Sequence, residues 1–329
     1  MSEPPRPPKR RGRLFRFGAA FVVMLAVAGY LVVQYVTGGA GGPGCKVVSA
    51  DGDEAAYEFS PEQAVNAATI TAVGTARGLP ERAVTIALAT ALQESALRNI
   101  EHGDRDSLGL FQQRPSQGWG TEREIMDPVY SAGEFYDHLV KVPDYTRLPL
   151  TVAAQRVQRS GYPEAYAKHE PDAALLAAAL SGRAAAVLTC QGRPDPVRVS
   201  GPDAVRSALV RDFGRDAVEQ AGAEVAADER KPAPGEPVTE TDGRTVTVPL
   251  TADGGPDGRD ARDVGERGWQ VAHWAVANAS ALHIKRVLYD GREWTSGRTN
   301  GEWRPVADDA KGGTGARKAA NSVRIVTAQ

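Results

Sequence analysis

The chain has 329 residues, 42% apolar and 24% charged, which is enough apolar material for a packed core and excludes global disorder. A formal charge of −2 argues against a nucleic-acid binder, which carries a basic domain. Two cysteines exclude a disulfide scaffold and a four-ligand zinc site, and the five histidines lack HExxH spacing, which excludes a metalloprotease; no metal is expected.

Residues 1–16 hold six basic side chains and one acid, Glu3, and residues 17–36 hold no charge. Twenty apolar residues span ~30 Å as a helix, so 17–36 reads as a transmembrane helix. Basic residues on its N-terminal side place 1–16 in the cytoplasm as a basic tail. The expected localisation is a single-pass cell-membrane protein with the bulk of the chain extracellular. A cleaved signal peptide is the alternative; it exports the same residues. Residues 37–44 are a flexible spacer. In an oxidising compartment Cys45 and Cys190 are expected to pair as a disulfide; two buried free thiols are the alternative.

Residues 45–190 show helical periodicity and few strand signals. Ser60-Pro61-Glu62-Gln63 fits a capping box, predicting a helix to about Arg77 that stops at Gly78. A second helix starts near Pro80 and ends at Glu94-Ser95. Others are predicted at about 130–141, 149–159 and 172–188, with a longer loop at 99–128. Residues 191–242 read as linker with a short helix at Pro202–Phe213. Beyond 243 the pattern changes. Thr245–Leu250 alternates like a strand and Arg267–Leu282 like an amphipathic helix. Arg286–Tyr289, Asp290-Gly291 and Arg292–Thr295 form a hairpin signal, and Ser322–Thr327 reads as a last strand. The expected fold class is a transmembrane helix, a mainly α domain at 45–190 and a small α/β domain at 243–329.

Several motifs carry no chemistry. Asp212-Phe213-Gly214 lacks every companion of the kinase metal site, and residues 312–318 (GGTGARK) lack P-loop spacing. Asn278 is a sequon placed mid-helix, and His273 and His283 read as ordinary helix-face and helix-end residues.

The informative stretch is residues 86–118. Glu94 ends an almost wholly apolar helix; Ala87 lies about 20° from it around the axis, so the carboxylate continues a buried stripe. Burial and the negative helix end both disfavour ionisation, which suits a general acid near neutral pH. A solvated glutamate at a helix end is the plain alternative.

Glu94-Ser95 after an Ala/Leu-rich helix, followed by Ser107-x-Gly109-Leu110-Phe111-Gln112, resembles the lysozyme-like soluble lytic transglycosylase superfamily. Residues 109–120 (GLFQQRPSQGWG), 125–128, Phe135-Tyr136 and 153–166 are similar to a subgroup found in exported, phage and mobile-element proteins of high-GC Gram-positive bacteria. The resemblance covers about residues 58–170. It implies a lysozyme-like domain with Glu94 as catalytic acid/base, and Ser107, Gly109, Leu110, Phe111, Gln112 and Gln113 lining the saccharide cleft. The superfamily's Ala-Tyr-Asn-Ala-Gly motif is absent. Residues 158–162 (QRSGY) are its positional counterpart, which makes Tyr162 the candidate to support the glutamate. The implied partner is the peptidoglycan glycan strand, cut between N-acetylmuramic acid and N-acetylglucosamine. A single carboxylate suffices for the transglycosylase route, whereas ordinary glycosidases need two; Asp104 and Asp106 are the loop candidates for a second, and the implied chemistry needs no cofactor on either route. Residues 268–294 are similar to a small α/β module of exported actinobacterial proteins. Its Trp269, Trp274 and Trp294, with Trp303, are either core residues or sugar-stacking platforms. Other readings are a non-catalytic wall-binding or scaffold protein, or a component of a conjugation or secretion apparatus.

Overall fold

Ser60 opens the first described helix of the computed structural model, which describes residues 44–52, 54–159, 163–191, 201–215, 243–250, 264–297, 302–306 and 322–328. Its hydroxyl accepts from Gln63 N at 3.3 Å, and Gln63 Oε1 accepts from Ser60 N at 2.7 Å, closing the capping box. Helix α1 (Pro61–Ala76) and helix α2 (Glu81–Ser95) are buried around most of their circumference. Their threonines tolerate this because each hydroxyl returns to a carbonyl one turn back: Thr71 to Ala67 O, Thr85 to Glu81 O and Thr90 to Ile86 O. Around this pair lie α3 (Glu122–Ile125), α4 (Pro128–Leu139), α5 (Leu150–Gln158), α6 (Glu170–Leu180) and α7 (Pro202–Phe213). A 3-10 helix, Pro163–His169, runs straight into α6. Helix α4 approaches α1 closely at Gly74, where a Cβ would sit 2.6 Å from Tyr136 Oη; that hydroxyl donates to Ile70 O at 3.0 Å.

Two antiparallel sheets complete the described chain. In the first, β1 (Gly44–Val48) lies between β2 (Ala56–Phe59) and β3 (Leu188–Gln191). Cys45 faces Cys190 directly across β1 and β3, and the two form a disulfide. This sheet corrects the mainly α expectation for 45–190. Strands of four or five residues give too few repeats for an alternation to stand out, and β1 and β3 meet across 145 residues of intervening chain.

The second sheet has the order β4-β8-β5-β6-β7, formed by Thr245–Pro249, Ser322–Thr327, Ile284–Tyr289, Arg292–Thr295 and Arg304–Pro305. Asp290 and Gly291 both take positive φ, 48° and 67°, the tight turn that matches strand twist between β5 and β6. Helix α8 (Val264–Ala277) packs between this sheet and the helices. Its side chains reach both ways. Gln270 Nε2 donates to Thr75 Oγ1 at 2.6 Å and His273 Nδ1 to Ala179 O at 2.7 Å. Trp274 Nε1 donates to Asp212 Oδ2 at 2.8 Å. Trp303 Nε1 donates to Leu188 O at 2.9 Å, tying the second sheet to the first. Helix α6 stops at Gly182, whose missing Cβ leaves room for Glu266 O of α8. The described residues, from Gly44 onward, form one compact unit.

The membrane-spanning expectation is corrected as well. Residues 17–36 lie outside the described residues, and among the described residues no helix is long and apolar enough to cross a membrane. The longest of these, α1, has 16 residues, short of the ~20 that a bilayer core requires. The expected fold class, the transmembrane helix and the single-pass localisation are therefore set aside; the described fold is helices joined to two antiparallel sheets.

Candidate active site

Glu94 stands on the last turn of α2, the most deeply packed helix of the described chain. Two non-glycine residues in the left-handed conformation follow it, Ala96 (φ 53°) and Leu97 (φ 58°). Such backbone needs external support. Helix α1 supplies it, because Gln63 Nε2 donates to Ala96 O and the buried Asn66 Nδ2 donates to Leu97 O, each at 2.8 Å. The capping glutamine of α1 thus also braces the end of α2. Asn66→Ala would leave the Leu97 carbonyl without its donor. It is expected to cost ~1–3 kcal/mol, read as a lowered denaturant midpoint.

Ser95 Oγ donates to Leu110 O at 2.8 Å and fastens the helix end to the Gly109–Gln113 turn. Gly109 has φ +75°, and a Cβ there would meet Ile125 O at 2.8 Å, so only glycine fits this crossing. The turn places its members differently. Leu110 and Phe111 are fully buried, with Phe111 stacked on Phe135 at 4.7 Å; they hold the turn down from beneath. Gln113 is buried and donates to Ser131 O at 3.0 Å. Ser107 is buried, with its backbone N–H on Asp104 O. Gln112 is half-buried, and its amide donates back to Gly109 O at 3.1 Å. The turn meets its surroundings through backbone carbonyls, Leu110 O accepting from Ser95 and Phe111 O from Gln158.

Two side chains close on the carboxylate. Tyr166 Oη, itself fully buried, donates to Glu94 Oε1 at 2.6 Å. Gln158, whose Nε2 donates to Phe111 O at 2.7 Å, also hydrogen-bonds Glu94 and so joins it to the turn. Burial pushes the Glu94 carboxyl above its ordinary pKa, and the bonds from Tyr166 and Gln158 pull it part of the way back. In the 3-10 helix, residues three apart eclipse, so His169 follows Tyr166 on one face; its Nε2 lies 3.1 Å from Gln93 Oε1. Two bonds from this single turn therefore seat it on the end of α2. Tyr162 lies outside the described residues. Tyr166 was missed because residues 158–162 matched the position of the absent motif; it lies 72 residues from Glu94 in sequence, and the described contact alone identifies it.

The loop acids do not join this cluster. Asp106 Oδ1 accepts from Arg114 Nε at 2.7 Å and Oδ2 from Ser116 N at 2.9 Å. The bonds from Ser116 and Arg114 hold it far below the usual carboxylate range, so it cannot serve as a proton donor. Asp104 is exposed beside Arg105. Among the described residues, no group of acids, histidines or cysteines has metal-site geometry. Asp212 of the kinase-like triplet is buried and structural, accepting from Thr69, Trp274 and Arg211.

Residues 242–315 match the family model described as the VldE C-terminal domain. The matched segment contains β4, α8 and β5–β7 and none of the residues around Glu94. No curated protein matches the chain. Neither finding connects it with lytic transglycosylases, so that assignment has no support from related proteins. Within the matched segment Trp269, Trp274, Trp294 and Trp303 are all buried, none above 7% exposed, so these rings are core and not stacking platforms.

Proposed function

We propose that the chain cleaves the glycosidic bond between N-acetylmuramic acid and N-acetylglucosamine in peptidoglycan, with Glu94 as its single acid/base. The observation that carries this reading is the partly buried Glu94 carboxyl, held by Tyr166 at 2.6 Å beside the Gly109–Gln113 turn. Its raised pKa favours the protonated form that a general acid needs. The resemblance of Glu94-Ser95 and residues 107–112 to peptidoglycan-cleaving enzymes supplies the substrate class.

In the first step Glu94 gives its proton to the glycosidic oxygen as the C1–O bond breaks. The resulting carboxylate, stabilised by Tyr166 and Gln158, then removes the proton of the muramoyl 6-hydroxyl as that oxygen bonds to C1. A 1,6-anhydro ring forms, no water is consumed and Glu94 regains its proton. If water takes the place of the hydroxyl, the same proton sequence gives a reducing end.

The test is mass spectrometry of the muropeptides released from purified peptidoglycan by the whole protein. Anhydro-muramoyl ends support the intramolecular route and reducing ends the hydrolytic one. Retention on the polymer without release defeats the enzymatic reading.

The pH dependence has a definite sign. Activity requires protonated Glu94 at the first step, so the rate falls as pH rises through its pKa. Tyr166→Phe removes a bond that favours the carboxylate. The alkaline limb of the profile is expected to move to higher pH, while the maximal rate drops ~10–100-fold from lost positioning. A limb that stays in place would show that Tyr166 does not act on the Glu94 proton.

A further inference from the structure

The C-terminal sheet carries a polarised face that plays no part in the Glu94 reading. Pairing between β5 and β8 shifts register between Ile284 and Arg286. The extra residue at this bulge is Lys285, and the in–out alternation breaks there: Ile284 is buried, Lys285 and Arg286 are both exposed, and Val287 is buried again. A bulge re-aims a side chain in this way. Arg286 lies opposite Val326 on β8 and Thr295 on β6. Partners in register share a face. The adjacent row, Val287, Ile325 and Trp294, is buried under α8, so the Arg286 row looks out of the opposite side. Glu293 Oε2 stands 3.6 Å from Arg286 Nη1 and holds that guanidinium over the sheet. Arg244, whose carbonyl accepts from Thr327 N and Oγ1, closes the end of the row. Together these groups line a depression of about 370 Å3.

We propose that this depression binds a small molecule through a phosphate-class oxyanion held by Arg244, Lys285 and Arg286. Among the described residues lining it, three cations face one carboxylate in a chain whose overall charge is −2, a local balance opposite in sign to the whole. Two guanidinium groups supply planar paired donors suited to phosphate oxygens, and Lys285 adds a point charge. The volume lies in the ~300–1,000 Å3 range of small-molecule sites, which leaves room beyond a bare ion. Thr295 and Val326 form the floor against which the rest of the ligand lies.

The experiment is calorimetric titration of the whole protein with inorganic phosphate and with pyrophosphate, at ionic strength held constant with chloride. Saturable binding is expected, tighter for pyrophosphate. The double variant Lys285→Gln/Arg286→Gln should bind about tenfold or more weakly. Both side chains are exposed, so an unchanged melting curve is expected to accompany that loss. Arg286→Lys, which keeps the charge but loses the fork, should weaken binding less than Arg286→Gln. Absence of saturable binding to either anion, or equal binding by the native protein and the double variant, overturns the proposal.

Discussion

Glu94→Gln is expected to lower muropeptide release by ~10²–10⁴-fold, the range attributable to a lost general acid. The amide has nearly the same shape as the carboxyl, and its oxygen still accepts from Tyr166, so the end of α2 keeps its geometry. It has no proton to give to a leaving oxygen and cannot take one from the 6-hydroxyl, so both halves of the cycle stop. Folding should not suffer. The native carboxylate is destabilised by burial, as its raised pKa records, and stability lost on ionisation as pH rises through that pKa is not lost by the amide. The variant is therefore expected to be inactive and, above that pKa, at least as stable as the native protein. Wild-type rates of release from Glu94→Gln would end the enzymatic proposal, which rests on Glu94 as its single acid/base.

The second large effect concerns Cys45 and Cys190. Their bond closes 145 residues, and the loop-entropy account assigns such a closure ~4–5 kcal/mol at most. The double variant Cys45→Ser/Cys190→Ser, or reduction of the native protein, should lower unfolding free energy by an amount approaching that figure. The denaturant m-value should rise, since an uncrosslinked unfolded chain exposes more surface. The loss reaches beyond the small sheet. Strand β3 receives Trp303 at Leu188 O and Trp294 at Thr189 Oγ1, so loosening β3 loosens the seat of the second sheet. A denaturant midpoint unmoved by reductant would show that pairing between the strands alone holds these residues.

Local signals were legible wherever a few adjacent residues decide the outcome. The Ser60–Gln63 box, the Asp290-Gly291 turn and the placement of Glu94 at a helix end are all short-range consequences of side-chain shape and helical period. Contacts made across long stretches of chain were not. Strands β1 and β3 pair across most of a domain, and their few residues carry no period that sets them apart. Tyr166 and Gln158 reach Glu94 only because α5 and the 3-10 helix fold back over the end of α2. Residue type alone also could not separate the two uses of the Gly109–Gln113 turn, whose apolar members are buried while its carbonyls accept from Ser95 and Gln158. The loop acids were settled by partners: Arg114 and Ser116 occupy both oxygens of Asp106.

Helix α8 has a consequence for recombination. Its glutamine, histidine and indole end on Thr75, Ala179 and Asp212, deep among the other helices. Grafting the 242–315 segment onto a foreign carrier would strand those donors. Excising it would take from the buried Asp212 the Trp274 donor and leave it only Thr69 and Arg211. The segment behaves as a keystone and not as a detachable cassette, and chimeras that exchange it should fold only when the sockets travel with it.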